Sequence, residues 1–280
     1  MRYLVAVSGG IDSVVLLDRL VQSGEHELIV AHFDHGIRPD SAADARFVEA
    51  LARRYGLPFV TKREELGGGA GEELARTRRY AFLRAEAQKL QARLVTAHHS
   101  DDVIETVAIN SARGTGWRGL AVLDAPDITR PLLTKTKQEI RDYALEHRLE
   151  WVEDSTNMET KYLRNQVRRK VALLVPYEGK RTILNAWQRQ LRLKREIQEE
   201  AARLLEQNGG SRYFFTQCDL PVAIELLRLY IRRESGVTIT RPQAQRTLVA
   251  IKTAKPGSLY DVGEGVGLQF TARTFIVKTP

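Results

Sequence analysis

Ser8-Gly9-Gly10-Ile11-Asp12-Ser13 is the stretch of this chain whose residue types specify chemistry most directly. Two adjacent glycines let a backbone turn tightly and approach an anion. A helix starting behind them would aim open N–H groups and partial positive charge at that anion. Ser8 and Ser13 add hydroxyl donors, and Asp12 is a carboxylate able to hold Mg2+ against phosphate oxygens. No Gly-Lys-Ser/Thr follows, so this is not a Walker loop, and the glycine spacing is not Gly-x-Gly-x-x-Gly. A plain helix cap after a strand would use the same residue types.

Two further clusters carry titratable groups. His32-Phe33-Asp34-His35-Gly36-Ile37-Arg38 combines an acid and imidazoles able to reach the sugar or base of a nucleotide. Standing alone, it would read as solvated polar residues at a strand end. His98-His99-Ser100-Asp101-Asp102-Val103-Ile104-Glu105 sets two aspartates in the first turn of a helix, with Glu105 on the same face. Such a group could bind a metal, relay protons or clamp an ammonium ion, and acids also favour a helix N-terminus for its dipole alone. Adjacent histidines and aspartates do not converge readily on one ion, which argues against zinc.

The elements that must position these clusters alternate. Residues 3–7, 27–35, 58–64 and 93–99 read as strands, and helices are expected at 11–23, about 40–56, 72–91, 101–112 and 135–147. This alternation predicts an α/β fold, a parallel twisted sheet with helices on both faces. Three strands end in polar clusters, which should meet in one crevice beyond their carboxyl ends. Residues 161–170 carry five basic and no acidic side chains. A long connecting helix is expected from about 181 to 207, then helices at 220–234 and 241–252 and short strands within 258–278. The expected domains are a catalytic one at 1–180, a connecting helix at 181–210 and a small α+β domain at 211–280.

Composition narrows the class. The chain has 280 residues, of which 43% are hydrophobic and 28% charged, and no run approaches a membrane span. Its one cysteine, Cys218, excludes a disulfide framework and a paired-thiol redox site, so a reducing, cytoplasmic setting is expected; Cys218 itself reads as a small buried hydrophobe. Residues 1–175 hold 26 basic and 25 acidic side chains, whereas 176–280 hold 17 and 10. A basic back half behind a neutral front fits a catalytic domain followed by a module that meets a polyanion.

The Ser8–Ser13 loop resembles that of the PP-loop ATP pyrophosphatases. The ordered set of SGGIDS, HFDHGIR, ARTRRY (75–80), TAHHSDDVIET, ARGTGWRGL (112–120), RPLL (130–133), WVEDSTN and YLRNQVR (162–168) resembles the tRNA(Ile)-lysidine synthetase family within them. That resemblance covers residues 1–175 strongly and 181–260 loosely. It implies ATP and Mg2+ as cofactors, with free L-lysine and the isoleucine tRNA of anticodon CAU as partners, and no membrane. It further implies ATP contacts by Ser8, Gly9, Gly10, Ile11, Asp12, Ser13, Asp34, His35 and Arg113. Asp12 would hold the metal. Lysine would meet Asp101, Asp102 and Glu105, with His98 or His99 as acid–base partner. Asp12, Asp34, His99, Asp102 and Glu105 form the implied catalytic set. RNA would engage Arg76, Arg79, Arg164, Arg168, Arg169 and Lys170. Trp117 and Tyr162 are stacking candidates for which core packing is the favoured reading, and Arg113 equally suits a helix C-terminus.

Two departures stand out. The family's glutamine after the paired aspartates is Val103 here, which removes or replaces one polar contact. The 280 residues also show no counterpart of the second C-terminal domain of longer members, which leaves the grip on tRNA in question. Oligomeric state stays open, a homodimer included. A related cytidine thiolase would need paired cysteines, and an amidotransferase-type ligase a glutaminase segment; neither is present. A nucleotide-regulated RNA-binding protein without catalysis is the remaining alternative.

Overall fold

The computed structural model describes residues 1–36, 41–67, 71–153 and 163–279. They divide into two compact units, Met1–Leu191 and Arg192–Pro280. The first contains β1 (Arg2–Ala6), α1 (Ile11–Ser23), β2 (Glu27–Asp34), α2 (Ser41–Arg54), β3 (Phe59–Arg63), α3 (Glu72–Lys89), β4 (Arg93–Val95), α4 (Ser100–Ala112), β5 (Ile128–Thr129), α5 (Lys137–Glu146) and α6 (Leu163–Leu174). The division falls within α7 (Tyr177–Asn208). Ile37, Arg38, residues 154–157 and Tyr162 of the sequence motifs lie outside the described residues.

The five strands form one parallel sheet in the order β3-β2-β1-β4-β5. The chain winds outward through β2 and β3, then returns to the other side of β1 for β4 and β5. The winding therefore reverses between β1 and β4, where open α/β sheets bind ligands. Alternation along β1 covers both faces. Val5 packs with Val14, Leu17, Val48, Leu51 and Ile140 of α1, α2 and α5, whereas Leu4 packs with Tyr80, Leu83 and Ala87 of α3. β2 is buried from Leu28 to Asp34, as a strand with both faces covered must be.

Most expected elements are present, with shifted ends. β1 starts and stops one residue early, and β4 ends at Val95 instead of 99, because Thr96–His99 leave the sheet to lead into α4. The 10-residue α5 begins on a capping box, in which Thr136 accepts from the Glu139 N–H and Glu139 Oε2 accepts from the Thr136 N–H. α6, and the six-residue α8 (Arg212–Gln217) of the second unit, have no counterpart among the expected helices.

The second unit also contains α9 (Leu220–Ser235), α10 (Arg241–Thr253) and an antiparallel sheet β6 (Leu259–Gly263), β7 (Val266–Phe270), β8 (Phe275–Lys278) in that order. Phe215, Leu227, Ile231, Ile251, Leu268, Phe270 and Phe275 make its core. Not every cation of this basic half faces solvent as free charge. Arg212 donates to the carbonyls of Ile251, Thr271 and Ala254 at 2.7, 2.8 and 2.7 Å, fastening α8 to α10 and the sheet. Cys218 is partly buried against this core, and burial raises its thiol pKa. Among the described residues no helix is long and apolar enough to cross a membrane.

Candidate active site

The loop after β1 is held by its own serines. Ser13 Oγ accepts from the Ser8 N–H at 3.1 Å and donates to the Gly10 carbonyl at 2.8 Å, and the Ser8 and Ser13 hydroxyls lie 3.2 Å apart. Gly9 has φ +92°, a conformation open to glycine and costly for other residues. Gly10 caps α1 without a side-chain hydrogen bond, so the first N–H groups of α1 stay available to an anion.

Asp12, in the first turn of α1, meets groups from the start of α4 and from α5. Its Oδ1 lies 2.5 Å from Lys137 Nζ and 3.8 Å from His99 Nε2. His99 is 4% exposed, with Nε2 3.5 Å from Asp102 Oδ2 and Nδ1 3.7 Å from Asp101 Oδ2. Asp102 Oδ2 also accepts from the His99 N–H at 3.0 Å. Asp101 accepts the Lys137 N–H at 2.8 Å, and Lys180 Nζ of α7 stands 3.4 Å from its other oxygen. Glu105, one turn on, is 2% exposed. His98 Nδ1 lies 2.9 Å from the Thr96 hydroxyl. The loop and the acidic turn thus face each other across the switch between β1 and β4.

At the end of β2, Asp34 is buried. Burial alone would raise its pKa, but the Gly36 N–H (2.9 Å) and the charge of Arg63 (3.4 Å) outweigh it and hold the carboxyl below the usual range. His35 is pushed down to about 4 by burial, with the positive charge of Arg79 adding to the effect. It is a neutral imidazole at neutral pH. His32 is structural, its Nδ1 2.9 Å from the Val7 carbonyl just ahead of the loop.

Other expected residues fall elsewhere. Arg113 is exposed at the C-cap of α4, about 20 Å along the axis from Ser100, and among the described residues it makes no side-chain contact with the loop. Arg76 and Arg79 lie half-buried on α3, and Arg169 and Lys170 are exposed on α6. Arg164 and Arg168 belong to α6, their side chains outside those described. Trp117 is half-buried, with the Arg118 guanidinium 4.8 Å from its ring centre. Val103 is fully buried against Val107, Val122 and Trp187, pointing into the core beneath α4.

The sequence motifs do not point to two further residues of the site, Lys137 and Lys180. For Lys137 a signal exists. The Thr136–Glu139 capping box puts it in the first turn of α5, where a cation opposes the helix dipole and therefore needs nearby anions.

The family model of the PP-loop domain matches residues 1–174. The chain belongs to the PP-loop family. Within it, this PP-loop chain is 42% identical over 179 residues to the tRNA(Ile)-lysidine synthase of Exiguobacterium sibiricum, covering 61% of this chain and 43% of that one. It is 39% identical over 184 residues to the same enzyme of Thermotoga sp. strain RQ2, covering 61% and 44%. The matches therefore span less than half the length of these curated relatives. A U34-tRNA thiolase from Methanococcus maripaludis shares the fold, with TM-score 0.59 at 18% identity over 69% of this chain and 73% of that one.

Proposed function

We propose that this PP-loop chain ligates free L-lysine to the wobble cytidine of the CAU-anticodon isoleucine tRNA, with ATP split to AMP and pyrophosphate. The observation that carries this reading is the meeting of Asp12, His99, Asp101 and Asp102 with Lys137 beside an uncapped α1 N-terminus. It is supported by 42% identity to a lysidine synthase over 179 residues.

The reaction divides into two steps. The cytosine O2 attacks the α-phosphorus of ATP, pyrophosphate leaves, and the base carries AMP on that oxygen. The lysine amine then attacks C2, the C2–O bond breaks, AMP departs, and a proton leaves the nitrogen. For the first step the open α1 N–H groups and Lys137 supply positive charge where the triphosphate's negative charge shifts to the leaving group. Among the described residues no group of three or more His, Cys, Asp or Glu forms a cage for a metal. A Mg2+ ion would be held by Asp12 together with substrate phosphates, where it would neutralise charge on the leaving pyrophosphate. For the second step Asp101, Asp102 and Glu105 hold an ammonium before attack, and His99, within 4 Å of three carboxylates, suits proton removal. Lysine on the wobble base would change decoding from AUG to AUA and charging from methionine to isoleucine. The setting would be cytoplasmic.

Radiolabelled lysine, ATP and Mg2+ with the CAU isoleucine tRNA transcript, beside a methionine tRNA control, test this reading. Label on the isoleucine transcript is expected. ATP turnover without transfer would remove the substrate assignment and leave the nucleotide chemistry.

A further inference from the structure

Tyr80 of α3 is 8% exposed; its hydroxyl oxygen faces the Arg130 guanidinium, and among the described residues no acceptor takes the phenol proton. Three arginines of the same helix surround its ring. The guanidinium carbons of Arg76, Arg79 and Arg84 lie 5.0, 5.6 and 5.6 Å from the ring centre. Arg84 is accounted for, because its Nε donates to Asp127 at 2.7 Å. A fourth guanidinium, Arg130, arrives from the carboxyl end of β5. It donates from Nη1 to the Leu123 carbonyl at 2.9 Å, while its buried Nε has no partner among the described residues. Arg130 feels both Tyr80 and the charge of Arg76, and burial is the first cause of its lowered pKa. Arg79 reaches far enough to act on His35 at the end of β2.

Like charges drawn together over a buried phenol, with the phenol proton and the Arg130 Nε both lacking an acceptor among the described residues, are unfavourable until an anion completes them. A phosphate oxygen takes an arginine N–H and a phenol O–H equally well. We propose that Arg76, Arg130 and the Tyr80 hydroxyl, with Arg79 at the rim, form a pocket for one phosphodiester of the RNA substrate. The proposal rests on the reading of this chain as a tRNA enzyme. The phosphates of ATP are the other source of the same chemistry, and the sheet argues against them. The Ser8–Ser13 loop heads α1 on one face, whereas Tyr80 packs on the opposite face with Leu4 and Ile128.

The test measures binding of the full chain to the CAU tRNA transcript across a salt series, and to ATP separately. Arg76→Gln and Arg130→Gln are each expected to weaken RNA binding about tenfold. Each should also reduce the slope of log K against log salt by about one. Arg84→Gln, over the same ring but paired to Asp127, should bind RNA as the parent chain does. Tyr80→Phe keeps the ring, so its loss of RNA affinity at unchanged melting temperature separates the hydroxyl's role from misfolding. Unchanged RNA affinity and slope in both glutamine variants would overturn the pocket. Loss of ATP affinity with RNA binding intact would overturn it too, by giving the pocket to the nucleotide. The ligation reading fails on different results. A parent chain that binds the transcript but never incorporates lysine, with both variants weakened, keeps the pocket and removes the ligation.

Discussion

Lys137 and Asp12 stand 125 residues apart in the chain, and the lysine Nζ lies 2.5 Å from the aspartate Oδ1. Through its backbone N–H the same lysine holds Asp101 at 2.8 Å. One residue of α5 thus ties the first turn of α1 to the first turn of α4, and its ammonium sits beside the helix end that suits a phosphate. Lys137→Met removes that charge and is expected to lower ATP-dependent pyrophosphate release by about 10²–10³-fold, the usual loss for one preorganised electrostatic contact. Lys137→Arg should recover part of the rate, since a cation returns with different reach. A methionine variant that releases pyrophosphate at the parental rate would reduce Lys137 to a surface ion pair.

His35 is predicted to stay neutral until pH approaches 4, because burial and then the charge of Arg79 disfavour the imidazolium, with Asp34 opposing only in part. An unfolded chain would protonate this side chain near 6.5. As pH falls between these two values the unfolded state binds the proton first, so the His35 contribution to stability is intact above about 6.5 and drains away toward 4. An NMR titration of the ring resonances checks the value. A midpoint above 6 would mean that the ring is solvated and that its place beside Asp34 is wrong.

The strand ends were legible because they depend on local pattern. SGG, HFDH and AHHSDD follow β-branched runs, and a parallel sheet gathers such ends on one edge. What stayed illegible was set by long-range pairing. Lys137 and Lys180 reach Asp12 and Asp101 across 125 and 79 residues, and a lysine on a helix otherwise reads as solvated surface. Arg113 shows the opposite limit. It follows the motif closely in sequence, yet a rigid 13-residue helix carries it to the far end of α4. The short α8 leaves no legible pattern because six residues give less than two turns of periodicity.

Asp18 takes no part in the crevice and fastens three segments behind it. Its carboxylate accepts from the Tyr55 hydroxyl at 2.7 Å and the Tyr143 hydroxyl at 2.8 Å, and His147 stacks on Tyr143 at 4.0 Å between ring centres. Burial, then the hydrogen bond to Asp18, pushes the Tyr143 phenol up to about 12 and the Tyr55 phenol higher still. Asp18→Ala leaves two phenols without their acceptor and is expected to cost about 1–3 kcal/mol per unsatisfied group. Urea unfolding measures it. A variant as stable as the parent would show that water replaces the carboxylate without loss.

Val103 follows the paired aspartates, where the sequence resemblance implies glutamine, and the fold gives the valine a physical meaning. The side chain is fully buried in an apolar cluster with Val107, Val122 and Trp187, whose indole Nε1 donates to the Val122 carbonyl at 2.9 Å. A glutamine here would bring an amide with four hydrogen-bonding positions into a patch that already spends its one indole donor on the backbone. Val103→Gln is therefore expected to destabilise the chain by about 1–3 kcal/mol, the cost of burying an unpartnered amide. It should raise neither ATP turnover nor lysine transfer, because Asp101 and Asp102 are already held by Lys137, Lys180 and the His99 N–H. Val103→Ala separates packing from polarity, since it opens a cavity without adding an amide. Equal melting temperatures for the parent and the glutamine variant, with a faster reaction in the latter, would instead mean that the amide turns out of the core toward the crevice. A polar side chain at position 103 would then serve catalysis rather than packing.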